Sequence, residues 1–232
     1  MGRLVNGERK ITNPIPEHAG KLLIFCEGAT EYNYMDYFKI YLENNLRIKY
    51  TDVVLEPINT RGNAKHVFQY AEEFLENDDN ARKYALYEKH LIFDCDAPSD
   101  IQDVITEMTK SENEYILDYS NLLFETWLVM HFKEIEPGGD NEKIKIYKAM
   151  RDYLQVDNYG SKEKAAPGTI GAILGSNGNE RIRAAIENAR ELERYWNEAG
   201  KIYQHDIKDM NPSVSIHNLI ERLLDEIVYL CR

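Results

Sequence analysis

Short apolar runs and helix-spaced apolar stripes alternate along the first 132 residues. Residues 21–26 (KLLIFC) are almost wholly apolar, the mark of a strand covered on both faces. Thr30 is placed to cap a helix over 31–43, in which Tyr34, Phe38, Tyr41 and Leu42 share one side. Residues 52–58 (DVVLEPI) predict a second strand, closed by a loop at 59–63. A helix over 64–76 follows, with Val67, Tyr70, Ala71 and Phe74 inward. Residues 90–95 (HLIFDC) predict a third buried strand, and Ser99 with Gln102 has capping-box spacing for a helix over 100–109. A fourth strand over 114–118 and a strongly apolar helix over 122–132 complete the series.

Strands that alternate with helices at this spacing imply right-handed crossovers and a parallel sheet flanked by helices on both faces. The remaining chain predicts helices over 142–154, 179–199 and 215–230, separated by Gly-rich stretches such as 167–178, which holds four Gly. The expected organisation is an N-terminal arm over 1–20, an α/β core over 21–132 and a helical extension over 133–232 packed on that core.

Composition narrows the class. The 232 residues are 43% hydrophobic and 29% charged, with no internal repeat and no apolar run long enough to span a membrane. The first eighteen residues are polar and carry no secretory h-region, and Asn6 stands where a myristoylation motif needs Ser or Thr. Three cysteines are too few and too scattered for a disulfide framework or a zinc site. A soluble, cytoplasmic protein is expected. The formal charge of −12 argues against a non-specific nucleic-acid coat, which works by neutralising phosphates. It is unevenly spread, however. Residues 141–210 carry 12 basic and 11 acidic side chains, leaving the acidic excess elsewhere. Such an asymmetry can steer an anion toward the near-neutral stretch, or can reflect no more than solvated helix faces.

Candidate chemistry sits at two strand ends. The first strand runs into Glu27-Gly28, and the third into Asp94-Cys95-Asp96. Side chains alternate along a strand, so Asp94 and Asp96 point to one side and Cys95 to the other. If the first and third strands are neighbours, their carboxyl ends border a topological switch point, where doubly wound folds bind ligands. Three carboxylates meeting there repel unless a cation joins them, and oxygen-only ligands suit Mg²⁺ or Mn²⁺. Gly28 would permit a close approach of backbone or substrate. The bland alternative is three capping or loop carboxylates. A haloacid-dehalogenase-type phosphatase carries its DxD on the first strand, and a receiver domain its acidic pair; neither pattern fits.

Glu-Gly after the first strand and DxD after the third resemble the Toprim catalytic domain. The segments CEGATEYNYMDYF (26–38), FDCD (93–96), SNLLFETWLVMHF (120–132) and NPSVSIHNLIERL (211–223) resemble the RloB family of Toprim proteins, associated with restriction loci and phage defence. Together they cover most of the chain. Leu122 stands where that family usually has Pro, and Val214 where it usually has Thr. The resemblance implies a metal-dependent nuclease cutting RNA or DNA. Glu27 would be a general acid/base or a metal contact, and Asp94 and Asp96 would hold Mg²⁺ or Mn²⁺. It also implies a separate ATPase partner, since this sequence has no GxxxxGK[ST] loop. A non-catalytic subunit that scaffolds or regulates such an ATPase complex is the rival, favoured by the net charge. A homo-oligomer is compatible with either.

Other residues are weighed against that frame. Glu125 is the one charge in its apolar helix, with Asn121 four positions earlier; it is either a salt-bridge partner or a further site carboxylate. His131 ends the same helix, more simply as a packing or capping residue. Arg61 and Lys65 flank Gly62 at the end of the second strand and are candidate phosphate contacts. Lys162 and Lys164, near Tyr159, are the leading candidates to grip a nucleic-acid backbone, with Arg181 and Arg183 weaker. Tyr32, Tyr34, Tyr37 and Tyr41 lie on one helix, where packing is a simpler role than base stacking.

Overall fold

The computed structural model describes residues 20–45, 53–96, 98–138 and 142–230. Apart from Gly20, the arm expected over 1–20 lies outside the described residues. Five strands form one sheet in the order β2-β1-β3-β4-β5. They are β1 (Lys21–Cys26), β2 (Val54–Asn59), β3 (Glu88–Asp94), β4 (Tyr115–Asn121) and β5 (Ser213–Val214). The first four are mutually parallel, and β5 is antiparallel to β4 through Ser120↔Val214 and Asn121↔Ser213. The α/β class and the helices on both faces agree with the sequence pattern.

β1 shows why the pattern is readable. Leu22, Ile24 and Cys26 enter one apolar cluster, and Leu23 and Phe25 enter the other. Each fully buried Leu, Ile or Phe contributes about 1.5–3 kcal/mol. β2, at the sheet edge, carries Pro57 opposite Ile24, a place where the missing N–H is tolerated.

Helices α1 (Ala29–Asn45) and α5 (Phe124–Met130) lie in the first cluster with β1. α2 (Ala64–Glu76), α3 (Asp78–Lys83) and α4 (Pro98–Met108) belong to the opposite side. Asn63 caps α2 by accepting from the His66 N–H at 3.0 Å. The buried stripe of α2 is Ala64, Val67, Phe68, Ala71 and Leu75, so Tyr70 and Phe74 sit at its margin rather than at its centre. Several expectations need correction. α1 begins at Ala29, which puts Thr30 inside the first turn rather than at the cap. α4 begins at Pro98, so Ser99 is helical as well. α5 starts two residues later than expected, and Asn121 belongs to β4, where its amide donates to the Ile207 and Met210 carbonyls.

After residue 133 come α6 (Lys143–Leu154), α7 (Ser161–Ala165), α8 (Pro167–Leu174), α9 (Gly178–Glu198), α10 (Tyr203–Asp206) and α11 (His217–Leu230). The stretch 167–178, expected as a Gly-rich separator, is mostly helix. Pro167 starts α8, and Ile170, Ile173 and Leu174 bury one face, which offsets the cost of Gly168 and Gly171. Buried residues from α6, α8, α9, β5 and α11 share the cluster that holds β1, α1 and α5. Among the described residues no helix is long and apolar enough to cross a membrane.

Candidate active site

β1 lies between β2 and β3, so the carboxyl ends of β1 and β3 adjoin at the switch point of the sheet. The chain there is tied down by its own backbone. Glu27 N–H donates to the Ile92 carbonyl at 3.0 Å, and Gly62 N–H to the Glu27 carbonyl at 3.2 Å. The Glu27 side chain then crosses to β3, where Oε2 accepts the Asp94 N–H at 2.9 Å. Glu27, Asp94 and Asp96 line one cavity of about 310 Å³. Cys95 between the two aspartates is buried in the opposite cluster, as strand alternation requires.

A fourth acid, not anticipated, completes the group. Glu31 in the first turn of α1 is only 5% exposed and lines the same cavity. A Cβ on Gly28 would lie 3.0 Å from Glu31 Oε2, so the glycine leaves room for this carboxylate. The signal was the spacing: Glu31 lies four residues after Glu27, one turn into a helix that the strand end feeds directly.

Glu27, Glu31 and Asp94 are held in protonation states unlike those in water. Burial, opposed by the Asp94 N–H and reinforced by Glu31 and Asp96, raises the Glu27 pKa to about 8. Burial and then Glu125 raise Glu31 to about 7, against its backbone hydrogen bonds and Lys164. Asp94 is pushed well above the ordinary carboxylate range by burial and by Glu31, Glu125 and Glu27. Asp94 Oδ1 is buried with no hydrogen-bond partner among the described residues. Like charges crowded into a dry pocket disfavour simultaneous ionisation.

Glu125 is fully buried on α5 and ion-paired: Lys164 Nζ lies 2.9 Å from its Oε1, and the Tyr159 hydroxyl donates to the same oxygen at 3.3 Å. Its Oε2 has no partner among the described residues. Lys164 also donates to the Tyr147 hydroxyl at 3.1 Å and lies over that ring. Burial opposes the Lys164 ammonium, yet Glu125 holds its pKa above the ordinary lysine value. Lys164 lines the acid cavity, as does Lys143 of α6, which the sequence did not single out.

The other candidates separate. Gly62 lines the cavity, with exposed Arg61 next to it at φ 59°. Lys65 borders a different cavity, with Asp103 and Glu107 of α4 and Lys110 just beyond it. Lys162 is exposed on α7 outside the acid cavity. Tyr159 is buried beside Glu125, and Arg181 donates to the Ile173 carbonyl and lies over the Phe132 ring. His131 is buried, bonded to the Tyr34 hydroxyl at 3.0 Å and the Trp127 carbonyl; burial lowers its pKa to about 4.

The oxygen-only donor set, the unpartnered Asp94 Oδ1 and the mutual repulsion fit a hard divalent cation. Among the described residues, however, no group of three or more His, Cys, Asp or Glu side chains is arranged so that it could hold a metal ion.

A family model described as RloB-like protein matches residues 22–223, from β1 into α11, a span that contains every acid of the cavity. Neither the curated proteins nor the solved structures give a match.

Proposed function

The chain belongs to the RloB-like family, and from that premise we propose that it is a metal-dependent nuclease of Toprim type, hydrolysing phosphodiester bonds in RNA or DNA. The observation that carries this reading is the convergence of Glu27, Glu31, Asp94 and Asp96 on one cavity, with Lys164 and Lys143 on its wall. Asp94 and Asp96 are assigned to hold Mg²⁺ or Mn²⁺, and Glu27 to act as a general acid/base or a further contact to that ion. A bound ion would supply charge stabilisation at the phosphoryl oxygens and a more acidic water.

The remaining work falls to side chains of the chain itself. Glu27, raised to about 8, exchanges a proton near neutral pH and so suits general acid/base duty. Lys164 presents a fixed positive charge to a substrate phosphate, and Glu125 holds it there. Arg61 at the mouth and exposed Lys162 and Lys65 further out are assigned to the nucleic-acid backbone. In keeping with the resemblance to phage-defence proteins, we place this activity under the control of a separate ATPase that releases it on infection.

The test is divalent-cation-dependent cleavage of mixed RNA and DNA by the purified chain with its ATPase partner. Glu27→Gln and Asp94→Ala should each lower the rate by about 10²–10³-fold or more. Cleavage that persists in both variants would remove the site assignment.

One observation favours a second reading, a non-catalytic subunit: Lys164 already compensates the buried Glu125 within the chain. Calorimetry with Mg²⁺ and Mn²⁺ separates the two, since a scaffold has no use for a cation in this cavity.

A further inference from the structure

A second cavity, about 400 Å³, lies at the β4 edge of the sheet, between β4, β5, α9 and α10. It has no part in the chemistry proposed above. β5 pairs with only the last two residues of β4, so the rest of that edge faces side chains rather than a strand. Ser215 engages part of it, exchanging hydrogen bonds with Tyr119 and donating to the Leu117 carbonyl. The volume falls in the range of sites that enclose a ligand.

The lining selects for charge and shape. Three aromatic rings contribute, Tyr119, Trp196 and Tyr203, with the Tyr119 and Tyr203 centroids 5.6 Å apart. Among the described residues its acids are Asp118, already bonded to His90 through Oδ2 at 2.6 Å, and Glu193, and its one base is Lys201. Lys201 is already neutralised by Asp206 at 3.0 Å and Asp209 at 3.2 Å. Glu193 accepts from His217 through Oε2 at 3.3 Å, the one hydrogen bond its carboxylate makes among the described residues. Aromatic faces beside an uncommitted carboxylate oxygen suit a planar cation, which stacks on rings and donates to carboxylates at once. At the rim, Ile116 and Ile202 are large apolar residues left 41% and 50% exposed.

We infer that this cavity receives an arginine side chain of a partner protein, presented on an extended segment whose neighbouring residues are apolar and cover Ile116 and Ile202. Charge complementarity chooses the guanidinium, and the apolar rim chooses a polypeptide over a free small cation. The site shares no lining residue with the acid cavity.

Isothermal titration calorimetry of the full chain tests this with the peptide acetyl-Leu-Arg-Leu-amide, its citrulline counterpart (neutral and nearly isosteric) and free agmatine. The arginine peptide should bind saturably, and the citrulline peptide about ten-fold more weakly or worse, the worth of one charge-assisted hydrogen bond. Glu193→Gln and Tyr203→Ala should each weaken the arginine peptide by a similar factor. Thermal melts of both variants establish that they are folded, and only folded variants count. No saturable binding, equal binding of the citrulline peptide, or binding unaffected in both variants would overturn the inference. Agmatine binding as tightly as the peptide would overturn its assignment to a partner protein. Nuclease activity enters none of these readouts.

Discussion

Two groups of charges sit on the same face of the sheet, about 13 Å apart along β3, and they are built on opposite plans. At the lower group the signs alternate. His90, 1% exposed, bonds Asp118 Oδ2 through Nδ1 at 2.6 Å and Glu88 Oε1 through Nε2 at 2.7 Å. Arg222 of α11 closes the chain on Glu88 Oε1 at 2.7 Å. At the upper group Glu27, Glu31, Asp94 and Asp96 face one cavity, with Glu125 behind Lys164. Among the described residues, Asp94 Oδ1 and Glu125 Oε2 are left without partners there. Compensated charge joins β3, β4 and α11 and is spent within the fold. Uncompensated charge destabilises the fold locally and is available to something from outside. The difference in partners, rather than in burial, separates a structural network from a candidate site.

Exchanging charge for amide in each group gives the sharpest test of this contrast. His90→Asn removes the cation between two carboxylates and leaves Asp118 buried and unpaired, which should cost about 3–5 kcal/mol in urea unfolding. Asp94→Asn removes one of several repelling acids and should leave stability unchanged or raise it by up to about 1 kcal/mol, while abolishing cation-dependent cleavage. Equal destabilisation by both would mean that the two groups serve the fold alike.

The pH response of the lower group follows from its partners. Burial opposes the charged ring, but Asp118 and then Glu88 overcome it and raise His90 to about 9. A raised folded-state pKa means that this contribution to stability is complete below about 6.5, the unfolded value. It is lost as pH climbs through about 9. NMR titration of the His90 ring should therefore show a midpoint near 9, unmoved by Mg²⁺. A midpoint near 6.5 would show the ring to be unpaired in solution.

The smallest effect expected is at Gly28. An alanine Cβ there would press on Glu31 Oε2, a flexible side-chain end that can move aside. Gly28→Ala should leave the melting temperature within about 2 °C, as a shift of a few tenths of a kcal/mol would. Cleavage should still fall by about ten-fold, because a displaced carboxylate is misplaced for chemistry. Unchanged cleavage would take Glu31 out of the site.

Legibility differed by element, for physical reasons. β1 and α2 were readable to the residue: β1 is buried on both faces, and Asn63 marks the start of α2. β5 has two residues and no period to detect, and it exists because β4 offers it an edge. α8 looked like a linker because its glycines are visible in sequence, whereas the cluster that buries Ile170, Ile173 and Leu174 is not. Within the candidate site, Glu27 and the DxD stand out because they end apolar strands. Glu31 reads as an ordinary first-turn acid until the fold turns it inward. Lys164 reads as a candidate contact to a nucleic-acid backbone, and only the packing of α7 near α1 brings it to Glu125.

Local pattern thus determined the four parallel strands, most helices, the sheet's class and two of the places where acids would emerge, because burial periodicity is written in neighbouring residues. Tertiary structure decided which charges would share a cavity and which would be neutralised. Electrostatic partnership is a matter of distance in space, and residues 27, 31, 94, 125 and 164 become neighbours only when the sheet order and the C-terminal helices are in place.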